Sequence, residues 1–395
     1  MSTQRVLSYG QIRLWTLSQL EGNTGAYNMP AALKLSGVVQ IEALELALID
    51  VINRHEPLRT IIRNEEGRPH GYVQLLEPGF KLLSFDDLSS LQDTARQSQV
   101  DHIVKLDSIA PFDLSTDLMI RSRLIKLTDQ QYVLTLVMHH IAGDGVSMGV
   151  FCRDLAKAYQ SRILNQAPDW IPLEISYADY AAWQREWLEQ SGEMTAQSQS
   201  LLKQLSGIPE LLSLPTDYPR DARRSRVAGC LPIELGIQTR SHLQRLASQH
   251  QTTLFTVLVA LYGSLLARLA NQTEVVIGSP VAGRTTPEVD DLVGYFSNTL
   301  ALRVDVNDHP DLSTLIERVK GKVNDALELQ DLPFEKLVED LGVARSLSHT
   351  PVFQAMFAWQ SQETSEVVLK NLVIETLPVS LDQTKFDLTL SMGPA

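Results

Sequence analysis

Cysteine is scarce in this sequence, which has two in 395 residues, Cys152 and Cys230. Two cysteines cannot build a disulfide framework, and their spacing is not that of a pair of metal ligands. We interpret both as small core residues. The sequence therefore argues against a disulfide-stapled scaffold and against a cysteine-based metal site.

Long apolar runs are absent as well. No stretch approaches the ~20 residues that a helix needs to cross a bilayer, and the opening residues, MSTQR, lack the basic and then apolar pattern of a secretory signal. Basic residues are outnumbered, because 34 Lys and Arg face 47 Asp and Glu for a net charge of −13. A nucleic-acid binder needs clustered positive charge. We therefore expect a cytoplasmic protein that has neither nucleic acid nor a membrane among its partners.

The chain is long enough for two domains, and its hydrophobic share of 44% is ordinary for a protein with a real core. Apolar periodicity predicts helices over residues 7–20, 41–54, 146–159, 176–189, 243–269 (one helix or a pair) and 312–329. Strands are predicted over residues 131–138, 274–278, 299–306, 352–360 and 385–391. This mixture indicates an α+β fold of two subdomains with a reaction site between them.

The predicted boundaries are a first subdomain over residues 1–175, a connecting helix and linker over 176–230, and a second subdomain over 231–395. The linker rests on the polar stretch 192–229, which contains Pro209, Pro215 and Pro219.

The most informative segment is HHIAGDG at residues 139–145, between a buried strand and a helix. Neighbouring strand residues point to opposite faces, so His139 and His140 should diverge, and one of them can face a cleft. Gly143 and Gly145 permit backbone angles that are closed to other residues. Asp144 can hold the turn by pairing with an arginine.

Plainer interpretations stay open for this segment. Asp144 could simply cap the helix that follows. A His pair could bind a metal, but no other His, Cys or acidic cluster has ligand spacing, so no metal is expected. A histidine at the end of a strand is usually structural.

The segment resembles the HHxxxDG signature of condensation domains of nonribosomal peptide synthetases. Six further stretches resemble the other motifs of that family, in the family's order: SYGQIRLW (8–15), RHEPLRT (54–60), YADYAAW (177–183), VGYFSNT (293–299), QDLPFE (330–335) and, loosely, residues 345–353. HHxxxDG alone is shared with other acyltransferases, whereas the ordered set is specific and covers nearly the whole chain.

The resemblance implies two subdomains similar to chloramphenicol acetyltransferase, arranged as a V-shaped pseudo-dimer with a tunnel between them. It implies peptide-bond formation in secondary-metabolite biosynthesis, from a donor acyl or peptidyl thioester to the amine of an acceptor aminoacyl thioester. Both thioesters hang on phosphopantetheine arms of donor and acceptor carrier domains, beside an adenylation domain. The chain itself is expected to bind no cofactor, the sequence identifies no cofactor-binding residue, and the excised domain should be monomeric.

The motif match assigns roles to individual residues. His140 is the functional histidine, His139 shares its motif, and Asp144 is structural, with Arg59 or another arginine as its partner. Asn298 of the fifth motif is expected to support the site. An α-amino group has a pKa of roughly 7.7–8.0, so a useful fraction is neutral and needs little help before it attacks. His140 could therefore take the amine proton as the new bond forms, or it could hold the amine in line for the attack. The Gly145 backbone N–H is a candidate oxyanion donor.

The sequence departs from the family pattern in three places. Val146 stands where tryptophan is usual, and Ser297 stands where valine is commoner. The second subdomain is expected to lack the family's last strand and helix.

Alternative functions remain. One is an epimerisation domain of the same fold, which would use the same histidine to move an α-proton. A non-catalytic domain that recruits partner enzymes usually has a degraded HHxxxDG, whereas this one is intact, and the chain shows no extra signal for an acyltransferase using coenzyme A. A heterocyclisation domain would carry aspartates in place of the histidines. Residues 26–30, AYNMP, favour the members that accept a D-configured donor.

Overall fold

The structure is a computed structural model that describes residues 3–22, 24–221, 227–343, 346, 348–360, 369–379 and 383–393. Parts of the predicted linker (222–226) and of the loosely matched segment 345–353 (345 and 347) lie outside the described residues.

The described residues form ten α-helices and twelve β-strands. The helices are α1 (Tyr9–Glu21), α2 (Ile41–Arg54), α3 (Asp93–Ile109), α4 (Gly145–Ile163), α5 (Tyr177–Gln190), α6 (Glu193–Gln204), α7 (Ile237–Gln249), α8 (Leu254–Ala270), α9 (Leu312–Glu328) and α10 (Phe334–Leu341). The strands are β1 (Thr3–Arg5), β2 (Asn28–Ser36), β3 (Thr60–Glu65), β4 (Arg68–Val73), β5 (Leu83–Asp87), β6 (Ile120–Thr128), β7 (Gln131–His139), β8 (Glu274–Val281), β9 (Asn298–Asp305), β10 (Ala355–Trp359), β11 (Val373–Leu377) and β12 (Leu388–Met392). The predicted α+β class is confirmed.

The chain divides into two compact units. Unit 1 comprises Met1–Glu186, Arg284–Phe296 and Glu363–Leu381, and unit 2 comprises Trp187–Gly283, Ser297–Gln362 and Asp382–Ala395. Two segments of the predicted second subdomain therefore belong to the first unit, for physical reasons. The 284–296 segment places Val293 in the core of unit 1, and β11 pairs antiparallel with β2.

Unit 1 is built on a five-stranded sheet in the order β11-β2-β7-β6-β5. β7 lies in the middle of this sheet and is buried along almost its whole length, because its residues are apolar on both faces. α2 and α4 contribute Leu44, Leu48, Phe151 and Leu155 to the core. A smaller antiparallel sheet, β1-β4-β3, completes the unit.

Unit 2 is built on a four-stranded sheet in the order β12-β10-β8-β9. β8, β10 and β12 run parallel, while β9 pairs antiparallel with β8. The predicted helix over 243–269 is a pair, α7 and α8, and α8 begins where the Thr253 side chain accepts a hydrogen bond from the Thr256 N–H.

The prediction that residues 192–229 are linker is wrong at its start, because α6 occupies Glu193–Gln204. Leu201 on α6 and Leu205 just after it pack into the core of unit 2. Their spacing is that of one helical face, but residues 192–204 are mostly polar, and this hides the face in the sequence.

Among the described residues, no single helix is long and apolar enough to cross a membrane. α7 and α8 meet that length and composition test only together, as a pair bent by 105°.

Candidate active site

The HHIAGDG segment lies where β7 ends and α4 begins, in unit 1. The His140 N–H donates to the Tyr27 carbonyl at 2.8 Å, so the ladder between β2 and β7 extends into the turn. The Ala142 N–H then donates to the His139 carbonyl at 3.0 Å, and the Gly143 N–H to the His140 carbonyl at 3.3 Å. The backbone of the turn is therefore tied to the central strand.

The two histidines have different surroundings. His139 is buried, with its ring 5.7 Å from that of Phe112 at an angle of 63°. Its Nδ1 accepts from the Ile141 N–H at 3.1 Å, so His139 is held within the fold. The His140 ring is only partly buried and lies 5.9 Å from the Tyr295 ring at 75°.

The contact of His140 Nδ1 with the turn bears on the tautomer of the ring. Nδ1 lies 3.3 Å from the Gly143 carbonyl oxygen. A carbonyl only accepts, so Nδ1 must carry the proton in this contact. In the neutral ring, Nε2 then keeps a lone pair and is able to take a proton.

Asp144 is buried and binds two parts of unit 1. Oδ1 accepts from the Ser147 N–H at 2.9 Å and from its hydroxyl at 2.8 Å, which caps α4. Oδ2 accepts from the Phe296 N–H at 3.1 Å. The Arg284 guanidinium lies 3.5 Å from Oδ1. The helix-cap interpretation and the arginine-paired interpretation therefore both apply.

The arginine beside Asp144 is Arg284 and not Arg59. Arg59 donates to the carbonyls of Gln74 at 2.9 Å and Asn53 at 3.4 Å, and so fixes the backbone around β3. Burial lowers the pKa of Arg284, and the neighbouring Asp144 carboxylate opposes that shift. The sequence did not identify Arg284, because it lies outside the recognised motifs.

Ser147 joins the turn to the 284–296 segment. Its hydroxyl lies 2.8 Å from the Gly294 carbonyl and accepts from the Gly294 N–H at 3.1 Å. It also accepts from Arg284 at 3.0 Å. Sequence reasoning missed this residue, since serine in the first turn of a helix is common.

The two glycines of the motif differ in what requires them. Neither has a positive φ, so the predicted need for special backbone angles is wrong for both. A Cβ on Gly143 would lie 2.5 Å from Met138 Sδ, so crowding explains this glycine. A Cβ on Gly145 would meet nothing within 4 Å among the described residues, which leaves room beside the first residue of α4.

Helix α1 supports the turn from a second side. The Ser8 side chain caps α1, and Gln11 Nε2 donates to the Ile141 carbonyl at 3.1 Å. The Tyr177 hydroxyl is 2.8 Å from Ser8 Oγ and 2.7 Å from the Tyr295 carbonyl oxygen. Burial raises the pKa of Tyr177 well above its ordinary value, so the phenol stays protonated and able to donate. The motif matches contained these residues but did not indicate their roles.

Asn298 belongs to unit 2 and supports the backbone there. Nδ2 donates to the carbonyls of Gln330 and Leu332, both at 2.7 Å. Oδ1 accepts from the N–H groups of Thr299 at 2.8 Å and Phe334 at 3.2 Å. Asn298 therefore joins the fifth motif to the sixth.

No group of three or more His, Cys, Asp and Glu side chains that could hold a metal ion occurs in the part of the chain that the structure describes.

Comparisons with known proteins agree on one family. The sequence profile named "Condensation domain" matches residues 1–394. The chain is 39% identical over 386 residues to malpinin synthetase of Mortierella alpina and 37% identical over 391 residues to the dimodular nonribosomal peptide synthase of Bacillus subtilis. Each alignment covers 98% of this chain, but only 5% of the first relative and 16% of the second, so the chain corresponds to a small part of either protein.

Solved structures agree in fold. The X-domain in its complex with OxyB from teicoplanin biosynthesis has a TM-score of 0.88 and 28% identity, over 98% of this chain and 84% of that one. The first condensation domain of the CDA synthetase has a TM-score of 0.80 and 22% identity, over 99% of this chain and 90% of that one. The fold is thus the chloramphenicol acetyltransferase-like fold of condensation domains, and the chain belongs to the condensation domain family of nonribosomal peptide synthetases.

Proposed function

We propose that this chain forms a peptide bond between a donor acyl or peptidyl thioester and the amine of an acceptor aminoacyl thioester. The observation that carries the proposal is the His140 ring, whose Nδ1 is engaged by the Gly143 carbonyl and whose Nε2 is therefore able to take a proton. The proposed partners are donor and acceptor carrier domains, which bring the thioesters on phosphopantetheine arms, and an adjacent adenylation domain. The cytoplasmic location stays a prediction.

The reaction requires the transfer of one proton from the acceptor amine to the leaving thiolate. The acceptor nitrogen attacks the thioester carbonyl and forms the C–N bond, which makes that nitrogen strongly acidic. His140 Nε2 takes its proton, the C–S bond breaks, and the leaving thiolate receives the proton from the imidazolium. The Gly145 N–H, at the start of α4, is the proposed donor to the transient oxyanion.

A second candidate function rests on the likeness to the X-domain, with its TM-score of 0.88. In this alternative, the chain is a non-catalytic domain that binds a partner enzyme, and the intact HHIAGDG turn is only structural.

A single-turnover assay separates these functions. Donor carriers loaded with D- or L-peptidyl thioesters react with an aminoacyl-loaded acceptor carrier, and intact-protein mass spectrometry follows the acceptor. We expect extended acceptor with one donor enantiomer, and a loss of about 10²-fold or more in the His140→Ala variant. His242→Ala, on the exposed side of α7, is the matched control and should retain full activity.

Other outcomes point elsewhere. Folded protein that transfers neither enantiomer would favour the recruiting function. Exchange of the donor α-proton for deuterium without transfer would indicate epimerisation.

A further inference from the structure

We propose that Tyr295 is a positioning residue for His140, and that its ring holds the imidazole in the orientation in which Nε2 receives the amine proton. The inference rests on the proposed function and adds a residue to it.

The contact itself is an edge-to-face pair. The ring centroids of His140 and Tyr295 are 5.9 Å apart with an interplanar angle of 75°, within the range that aromatic pairs prefer. The contact from Nδ1 of the imidazole to the Gly143 carbonyl is long, at 3.3 Å. A hydrogen bond of that length restrains the Nδ1 atom weakly, whereas an edge-to-face contact acts on the whole ring.

The backbone around Tyr295 is held on both sides. Gly294, the preceding residue, donates its N–H to the Ser147 hydroxyl at 3.1 Å, and its carbonyl oxygen lies 2.8 Å from the same hydroxyl. The Tyr295 carbonyl accepts from the Tyr177 hydroxyl at 2.7 Å. The N–H of Phe296, the following residue, donates to Asp144 at 3.1 Å. Three hydrogen bonds on three consecutive residues restrain the ring far more than an ordinary loop would.

Two glycines make room for this arrangement. A Cβ on Gly10 would lie 2.6 Å from Cδ1 and Cε1 of Tyr295, so the ring lies directly against the backbone of α1. A Cβ on Gly294 would lie 2.0 Å from Cδ2 of Tyr177. The ring of Tyr295 is therefore fixed between α1 and His140. The Tyr177 ring, whose hydroxyl donates to the Tyr295 carbonyl, fits in its place because residue 294 is glycine.

The alternative is that Tyr295 only fills space, since it packs against the main core of unit 1. Trp15 packs against the same core from α1 and is also partly buried, but none of the ring contacts among the described residues joins it to His140. Trp15→Leu is therefore a matched control for the loss of aromatic packing alone.

The test combines Tyr295→Leu, Tyr295→Phe and Trp15→Leu with His140→Ala in single-turnover peptide-bond formation. We expect Tyr295→Phe to stay within about twofold of the wild type, because it keeps the ring. Tyr295→Leu should lose about tenfold or more in the rate at saturating acceptor, with little change in the acceptor KM. In the His140→Ala background, Tyr295→Leu should add almost nothing, because both changes act on one step.

Equal losses from Tyr295→Leu with and without His140, or a loss matched by Trp15→Leu, would overturn the inference. An inactive wild type would instead contradict the proposed function. The positioning of His140 by Tyr295 is then tested by NMR, which does not depend on activity. The His140 Cε1–H signal in ¹³C NMR, assigned with His140→Ala, should be single and sharp in the wild type and Tyr295→Phe. A signal equally sharp in Tyr295→Leu would show that the ring is not positioned by Tyr295.

Discussion

The Asp144 carboxylate shows how one side chain supports the candidate site without being placed for proton transfer. It accepts from the first turn of α4 through Ser147, and from the Phe296 N–H in a segment that is remote in sequence. Arg284 lies at 3.5 Å and stacks over the Phe296 ring at 4.2 Å. The pair is deeply buried, with side-chain exposures of 4% for Arg284 and 1% for Asp144. Its role is to hold the 284–296 segment against the HHIAGDG turn.

Asp144→Asn keeps the shape of the side chain and removes its charge. Arg284 would then be a buried cation beside a neutral amide, and we expect the free energy of unfolding to fall by about 3–5 kcal/mol. Urea denaturation measures it. The control is Asp129→Asn, which breaks an exposed pair with Lys126 and should change stability by about 1 kcal/mol or less. Equal effects of the two substitutions would mean that the Arg284 charge is not stabilised by Asp144.

At this scale the sequence predicted the residues of the turn but not their supports. HHIAGDG was recognised by its resemblance to the HHxxxDG signature and by the motifs that accompany it. The contacts of Ser147 with Arg284 and Gly294 join residues 137 and 147 positions apart, and no local pattern carries such information. The same reason explains why Arg59 was considered as the partner of Asp144 while Arg284 was not identified.

At the scale of elements, the two units share one hydrogen-bonding arrangement, in which an asparagine at the start of a strand donates to two backbone carbonyls. Asn28 begins β2, and its Nδ2 donates to the carbonyls of Ser108 and Ala110, both at 2.8 Å. Asn298 begins β9, and its Nδ2 donates to the carbonyls of Gln330 and Leu332. In both units the accepting residues lie at or just after the end of a helix, α3 or α9, and Pro-Phe comes next in the sequence. The fixed backbone connects each helix to the sheet of its own unit.

Removing either amide should leave carbonyls inside the fold without their donor. We expect Asn28→Ala and Asn298→Ala each to lower the free energy of unfolding by about 1–3 kcal/mol, since an unsatisfied buried polar group costs that much. Asn64→Ala, on the exposed end of β3, is the control and should be close to neutral. Urea denaturation of the three variants measures these changes. If Asn298→Ala leaves the free energy of unfolding unchanged, packing alone maintains this backbone geometry.

Elements with an uninterrupted apolar pattern were predictable from sequence. The prediction for α2 matches its bounds, and β7 and α9 differ from their predictions by one residue at one end. α3 and α6 were missed, because α3 is largely solvent-exposed and polar and α6 has few apolar residues. β11 belongs to the sheet of unit 1 because it pairs with β2, and local periodicity does not predict such a long-range pairing.

The molecule as a whole carries a buried ionic cluster that links its stability to pH. His55 is buried, with Nε2 at 2.9 Å from Asp154 Oδ2, and Arg54 Nε lies 2.9 Å from the same oxygen. The cluster joins α4 to the end of α2 within unit 1. Burial lowers the pKa of His55, so the neutral ring donates to the carboxylate. Burial also raises the pKa of Asp154, but the His55 bond and the charges of Arg54 and Arg153 outweigh it, and the net shift is downward.

Both shifts make acid destabilising. An unfolded histidine titrates at roughly pH 6.5, and His55 titrates below that in the fold, so the unfolded chain binds more protons over this interval. The stability from neutral His55 is thus complete above about pH 6.5 and declines as the pH falls toward the lowered value. Asp154 adds a further loss only below roughly pH 3.9, where unfolded aspartates protonate. We expect the free energy of unfolding to fall between pH 7 and pH 5, as urea denaturation at several pH values will show.

His55→Gln separates this cluster from the other titrating groups, because the amide can donate to Asp154 but has no proton to gain in this range. The variant should be less stable than the wild type at pH 7.5 and should lose less on acidification, so the two curves converge toward pH 5. His242→Gln, on the exposed face of α7, is the control for exchanging a histidine for glutamine, and the slope of His55→Gln is compared with it. Parallel curves for His55→Gln and the wild type would place the acid sensitivity in other groups and would mean that His55 titrates alike in the folded and unfolded chain.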